Sequence, residues 1–336
     1  MSALSFLRSQ LFVKLPVPSY DFTGQTVLIT GGNRGIGFEA ARHVLRLNAA
    51  HVIIAVRALE GSDEAVAELE KSTGRQGVVS IYELEMLDQK SVEEFAAKMQ
   101  TLDRLDAVIL NAGMFTQDFV LAEGYESTLT VNVINTFLLA ILLLPVLRSS
   151  AQKWKISPRL TIVASDRHVM VNLPESKEGN TFQVLSDKRK AKMNQRYFTS
   201  KLLLILLGRE LASQLVRPNH SLSSPDPCII VNFLTPGYCI SGLTKNSHFP
   251  VSFGFWVMTK TVARTTEEGG RTLVAGIVKG KESHGKYLND CEIDDSALSP
   301  FVRSDDGART QKKVWAELLE ILENKHPGIS SLISEA

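Results

Sequence analysis

Short apolar runs alternate with longer amphipathic segments along most of the chain. Val27-Leu28-Ile29, inside Thr26 to Thr30, is too short for a helix and reads as a buried strand. Glycines follow it, then a helical pattern through Ala40, Ala41 and Leu45. His51 to Val56, rich in β-branched residues, predicts a second strand, and Val78 to Leu84 a third. Between and after them, Ser62 to Lys71 and Ser91 to Met99 carry helical patterns. Asp106 to Leu110 predicts a fourth strand and Tyr125 to Leu147 a long apolar helix. Arg159 to Ala164 is a fifth strand, Arg196 to Leu215 a helix, and Cys228 to Phe233 a further strand. Strands that alternate with helices imply a doubly wound α/β fold, its parallel sheet covered on both faces. Right-handed crossovers then place ligands at the carboxyl ends of the strands.

Two stretches break this rhythm. Asn172 to Asn194 is polar and charged and reads as a surface excursion. After Pro236 the pattern is lost until Gly285-Lys286-Tyr287-Leu288, a candidate last edge strand, and Ala308 to Asn324 then forms an amphipathic final helix. Pro16 and Pro18 close an N-terminal extension, residues 1–20. Residues 21–336 are expected to form one catalytic domain, with a substrate-covering lid, the edge strand and the last helix in 246–336.

Composition narrows the function. The 336 residues hold 37 Lys+Arg against 36 Asp+Glu, a net +1 that argues against nucleic acid as the partner. The three cysteines, Cys228, Cys239 and Cys291, have neither paired nor metal-like spacing, so no metal site is expected. The strongest apolar run, Phe137 to Leu147, is short for a membrane span and contains Pro145. With no signal-peptide core at the N-terminus, the expectation is a cytoplasmic protein. Phe6, Leu7, Leu11 and Phe12 give the extension some amphipathic character, which leaves a transit peptide open.

The first strand runs into Thr30-Gly31-Gly32-Asn33-Arg34-Gly35-Ile36-Gly37 and then a helix. Gly31 permits a tight turn, Gly35 lets the backbone approach a pyrophosphate, and Gly37 lets the helix pack on the sheet. The free N–H groups at the helix start favour phosphate. Tyr197 and Lys201 are four apart, hence neighbours on one helical face. An ammonium beside a phenol favours the phenolate, so Lys201 together with the positive charge of an oxidised nicotinamide is expected to pull the Tyr197 pKa down.

The spacing G-x-x-x-G-x-G after Thr30 resembles that of short-chain dehydrogenases/reductases, and further marks of that family follow in order. They are Asn111-Ala112-Gly113, Asn132 within Val131-Asn132-Val133, Ser165, the Tyr197-x-x-x-Lys201 motif and Pro236-Gly237. The resemblance covers residues 24 to about 245 and implies a Rossmann fold that binds a nicotinamide cofactor through these residues. It implies Tyr197 as proton donor and acceptor and Ser165 as the group that holds the substrate oxygen. Lys201 would assist, and Asn132 would support a water chain to solvent. Glu85 stands where relatives usually carry Asp against the adenine, and Ser241 where a Thr or Ser helps fix the carboxamide. In NAD-preferring relatives an acidic residue ends the second strand; here Ala55-Val56-Arg57 ends it, and with Arg34 this favours NADP(H).

Further likenesses point to the retinol-dehydrogenase-like branch and to fungal secondary-metabolite reductases. The first rests on Gly37 to Arg42 and the Tyr-x-x-Ser-Lys-Leu-Leu helix. The second rests on Ser165-Asp166-Arg167-His168, on Pro236 to Ser241 and on the tail around His284 to Tyr287. They imply an apolar carbonyl or alcohol substrate of polyketide or terpenoid origin. The segment Phe249 to Met258 is apolar enough to be its lid, or a patch facing lipid or a partner. Homodimerisation through Leu138 to Leu147 and Leu202 to Leu211 is suggested by the family, although packing inside one subunit would explain the same apolar faces. Non-redox chemistry on the same scaffold, such as a cyclisation or dehydration, and cofactor binding without turnover remain the alternative functions.

Overall fold

The structure, a computed structural model, describes residues 3–217, 226–243, 248 and 251–334. One sheet organises it. Its strands are β1 (Thr26–Thr30), β2 (His51–Val56), β3 (Val79–Glu83), β4 (Ala107–Leu110), β5 (Arg159–Val163), β6 (Ile230–Leu234), β7 (Tyr287–Asn289) and β8 (Glu292–Ile293). Their order across the sheet is β8-β7-β6-β5-β4-β1-β2-β3, parallel throughout except for the β7–β8 pair. The expected doubly wound Rossmann arrangement is therefore present. The strand order reverses between β1 and β4, and the glycine-rich loop lies there, at the switch point where such sheets bind ligands.

Alternation along each strand sends successive side chains to opposite faces. Leu28, Ile53 and Val108 enter a core lined by α4 (Gln89–Met99), α5 (Ser127–Trp154), α6 (Met193–Gln214) and a C-terminal helix (Asp305–Lys325). Val27, Ile29, Val52, Ile54 and Ile109 enter a second core with α2 (Gly35–Arg46), α3 (Ser62–Thr73) and a helix at Thr266–Val278. Strands buried on both faces explain why β1 reads as a continuous apolar run.

Several sequence expectations change in detail. The helix expected over Tyr125 to Leu147 is α5, which reaches Trp154 and contains a π-helical turn at Thr130–Ile134. Pro145 does not end it, because it lies in the first turn of the segment Leu144–Trp154, where its missing N–H costs nothing. Although α5 is long and apolar enough to span a membrane, 94% of its most apolar window is buried inside the protein. Asn172 to Asn194 is no surface excursion: Thr181 and Phe182 are fully buried, and Glu317 of the C-terminal helix accepts the Thr181 N–H at 3.0 Å. The region after Pro236 holds two helices, Val251–Thr261 and Thr266–Val278, the second opened by a Thr265–Glu268 capping box. The strand at Tyr287 is not the last, since β8 pairs antiparallel beyond it.

The apolar faces offered for a dimer are used up within the subunit. Leu138 and Leu139 of α5 and Leu202, Leu203 and Leu206 of α6 are fully buried. Phe137 meets Trp315 of the C-terminal helix edge to face, and Arg148 donates to the carbonyls of Leu332 and Ile333. The first residues also fold, as α1 (Ala3–Phe12).

Candidate active site

The glycine-rich loop is held by its neighbour strand. The Thr30 hydroxyl accepts the N–H groups of Asn111 and Ala112, both at 2.9 Å, and the Asn111 amide donates to the Thr30 and Gly31 carbonyls at 2.9 and 3.2 Å. Asn111 thus ties the loop after β1 to the loop after β4. A Cβ on Gly37 would stand 2.4 Å from the Gly31 carbonyl oxygen, so only glycine fits this close approach. Gly35 is the opposite case. Its φ is +63°, and nothing lies within 4 Å of where a Cβ would point. Beside it, Arg34 occupies the N-cap position of α2 in extended conformation, with no side-chain cap on the helix. An uncapped helix start facing open space fits a pyrophosphate. Arg34 and Arg57 are exposed, and neither has a side-chain partner among the described residues. Asn33 and Ile36 are partly buried in the same loop, and Gly269 of the helix Thr266–Val278 packs against Ile36.

Asn132 lies in the π turn of α5. Its side chain is buried and fully engaged: its amide donates to the Met114 carbonyl and to the Ser200 hydroxyl, both at 3.0 Å, and its Oδ1 accepts the Met114 N–H at 2.8 Å. A π turn displaces the backbone from the regular ladder and often marks a functional position. Gly113 packs on Asn132 Oδ1, and Ser200 in turn donates to the Tyr197 carbonyl at 2.8 Å. Asn132 therefore joins the loop after β4 to the helix that carries Tyr197.

Ser165 follows β5. Its hydroxyl donates to Asp166 at 3.1 Å and accepts the Arg167 N–H at 3.2 Å, and its proximity favours the ionised form of the Tyr197 phenol. Lys201 donates to the Val163 carbonyl at 2.7 Å, and its Nζ lies 5.5 Å from the Tyr197 ring centre. The four expected catalytic residues thus converge at the carboxyl end of β4 and β5. In the protein alone, without a nicotinamide's charge, burial sets the electrostatics. Burial, with Asp166 nearby, pushes the Tyr197 phenol above its ordinary range, and burial pulls Lys201 down to about 7. The ammonium faces the ring rather than the hydroxyl, so the protein by itself holds Tyr197 as a phenol.

Other expected positions are more peripheral. Glu85 accepts the Leu87 N–H at 2.9 Å in the turn after β3. Ser241 is exposed, and its hydroxyl takes up the Leu243 N–H at 3.4 Å. Pro236 and Gly237 follow β6 and are partly buried. Phe249 lies outside the described residues, as do the side chains of Val251, Phe253 and Phe255. His248 donates its N–H to Gln117 at 2.6 Å and contacts Asp118 at 3.2 Å, both in the loop after β4.

Three contributors were not read from sequence. Phe115 packs edge to face on Tyr197, with ring centres 5.6 Å apart. Phe6 of α1 lies under the Arg167 guanidinium at 4.8 Å. Gln10 of α1 grips the loop after β6: its amide donates to the carbonyls of Tyr238 and Val262, and its Oε1 accepts the Tyr238 N–H at 3.1 Å. Only Phe115, two residues past Asn111-Ala112-Gly113, had a local signal.

The short chain dehydrogenase family model matches residues 25–155, which span the glycine-rich loop, Asn111 and Asn132. Short-chain dehydrogenase anuD of Penicillium roqueforti is 60% identical over 335 residues, 99% of this chain and 87% of that protein. The chain belongs to the short-chain dehydrogenase family. A second member, short chain dehydrogenase/reductase dmxR8 of a Cryptosporiopsis species, is 40% identical over 98% of this chain and 99% of its own length. In structure the chain resembles an uncharacterized protein from Mycobacterium paratuberculosis, with a TM-score of 0.63 at 23% identity over 90% of this chain and 95% of that one. These similarities establish a fungal short-chain dehydrogenase grouping and an oxidoreductase family. They do not single out the retinol-dehydrogenase-like branch.

Proposed function

We propose that the protein is an NADP(H)-dependent oxidoreductase that interconverts a carbonyl and an alcohol on an apolar small molecule, a secondary-metabolite intermediate. The observation that carries this reading is the convergence of Ser165, Tyr197 and Lys201: Ser165 follows β5, Lys201 donates to the Val163 carbonyl at its end and lies over the Tyr197 ring, and burial holds Tyr197 as a phenol. When bound, the cofactor supplies or accepts the hydride. Ser165 Oγ and Tyr197 Oη then hold the substrate oxygen between two donors, and Tyr197 passes its proton to that oxygen as negative charge develops there. A group that sits as the phenol suits reduction. An ammonium has three N–H donors, and Lys201 spends one on Val163, which leaves two for cofactor hydroxyls. Asn132 holds the π turn in place beside this centre and supports proton resupply. Gly31, Asn33, Gly35, Ile36 and Gly37 would cradle the pyrophosphate. Asn111, Ala112 and Gly113 border it, Glu85 serves the adenine end, and Pro236, Gly237 and Ser241 the nicotinamide end.

Arg34 and Arg57 support NADP(H) over NAD(H), because two exposed guanidiniums suit a 2′-phosphate. Losing one charged partner costs about 1.5–3 kcal/mol. Arg57→Ala should therefore weaken NADPH binding by about 10- to 150-fold and NADH binding far less. Equal affinity of the unaltered protein for both cofactors would overturn the preference. Reduced-nicotinamide absorbance, followed with a panel of apolar ketones and aldehydes, tests the reaction itself. Substrate conversion without a change in absorbance would assign non-redox chemistry instead.

A further inference from the structure

The polarity of α1 is inverted for a helix that faces water. Ser9 and Gln10 are turned into the protein, where Ser9 donates to Asp290 at 2.7 Å and Gln10 holds Tyr238 and Val262. The opposite face is formed by Leu4, Leu7, Arg8, Leu11 and Phe12, at spacings i, i+3, i+4, i+7 and i+8. Leu4 and Phe12 are each 78% exposed, Leu11 49% and Leu7 40%. Ordinary surface helices bury this stripe; here it is the outer surface. Gln10 also ties α1 to both ends of the segment Tyr238–Val262, in which Ile240, Trp256 and Val257 are exposed as well.

Charge is segregated in the same two stretches. Residues 1–20 contain Arg8 and Lys14 and no carboxylate, and residues 227–266 contain no carboxylate either. The chain as a whole is nearly balanced, at 37 basic against 36 acidic residues. Arg8, Lys14 and Lys260 are exposed.

We propose that this face docks on an anionic bilayer surface. Leu4, Leu7, Leu11 and Phe12 enter the acyl boundary, while Arg8, Lys14 and Lys260 meet the headgroups and Trp256 lies at the same level. A second copy of the chain suits the face less well. A two-fold contact would set Arg8 and Lys14 against their own kind with no carboxylate in the segment to answer them. Because α1 also contacts Arg167 and the loop after β6, docking brings the mouth of the site to the lipid. Docking itself does not depend on the redox reading.

The test sediments the full chain with vesicles of phosphatidylcholine alone and of phosphatidylcholine with phosphatidylserine. Binding to the anionic vesicles, weakened by added salt, is expected. Leu4→Gln combined with Phe12→Gln should lower the partition coefficient by at least about tenfold, since both side chains transfer from water to lipid. The melting temperature of this variant should stay unchanged, because both residues face solvent in the free protein. Arg8→Gln with Lys14→Gln should lower the preference for anionic vesicles by roughly fivefold per charge. Absence of vesicle binding, or equal binding by the Leu4→Gln/Phe12→Gln variant, would overturn the proposal. A dimer of the unaltered chain in light scattering that this variant abolishes, without vesicle binding, would give the face to a second copy and overturn it too.

Discussion

The loop after β1 and the loop after β6 lie at the same end of one sheet, yet they are held by different means. The first is fixed by a hydrogen-bond lattice among Thr30, Gly31, Asn111 and Ala112, all within motifs that stand out in the sequence. The second is fixed by partners from the far ends of the chain. Gln10 holds Tyr238 across 228 positions, and Arg264 donates to Ser9 and pairs with Asp290 at 2.6 Å. The floor, the loop after β1, is thus tied by motif residues 80 to 82 positions apart, whereas the rim, the loop after β6, is tied by contacts that span 228 to 255 positions.

The largest loss is expected at a buried ion pair outside both loops. Glu126 and Arg196, 0% and 2% exposed, pair at 3.1 Å and join the start of α5 to the start of α6. Arg196 also donates to the Leu185 carbonyl, and Glu126 Oε1 caps Thr128 N–H at 2.9 Å. Removing one partner of a buried pair costs about 3–5 kcal/mol. Arg196→Ala should lose that much in denaturant unfolding, and a loss under 1 kcal/mol would show that the pair does not brace the two helices.

A smaller effect is expected from His168, which anchors the segment after Ser165 between the Ser165 carbonyl, 2.7 Å away, and the Ser299 N–H at 3.1 Å. Burial lowers its pKa from 6.5 to about 4. As pH falls below 6.5 the unfolded chain takes up a proton that the folded chain refuses until about pH 4. Stability should therefore drop by about 3 kcal/mol between those limits, at 1.36 kcal/mol per unit. His168→Gln should flatten that slope; identical pH profiles for the two proteins would contradict a buried neutral imidazole.

At the rim, Gln10→Ala should act locally. It removes the acceptor of the Tyr238 N–H and a donor to the carbonyls of Val262 and Tyr238, the latter still accepting the Arg264 N–H at 2.9 Å, at about 1–3 kcal/mol. Hydrogen exchange at the Tyr238 amide should then quicken by about 5- to 150-fold while the β1 amides keep their protection. Equal changes at both places would dissolve the distinction between floor and rim.

Most of the floor was legible in the sequence because its residues stand in short motifs, although the hydrogen bonds between them span 80 to 82 positions. Doubly buried strands read as continuous apolar runs, and the glycine-rich loop, Asn111 and the Tyr197–Lys201 pair lie within single elements. The helix Thr266–Val278 also had its signal, the Thr265-x-x-Glu268 spacing. What stayed hidden depends on tertiary partners. The π turn at Asn132 is set by Met114 and Ser200, and Phe182 is buried in a stretch whose composition suggests surface. In α1 the residues that matter to the fold are the polar ones. Their partners are 228 to 281 positions away, so no window of sequence could find them. In the protein alone, burial outweighs the Lys201 amine over the ring and raises the Tyr197 pKa; the lowering expected from Lys201 together with an oxidised nicotinamide's charge concerns the cofactor-bound state.

The central claim is that Tyr197 moves the proton. Tyr197→Phe keeps the Phe115 ring contact and removes only the hydroxyl. Single-turnover reduction of an apolar ketone by the NADPH-loaded variant should slow by at least about 100-fold, the low end for a general acid. NADPH affinity and melting temperature should stay near those of the unaltered protein. Near-normal turnover with Phe at position 197 would contradict the account.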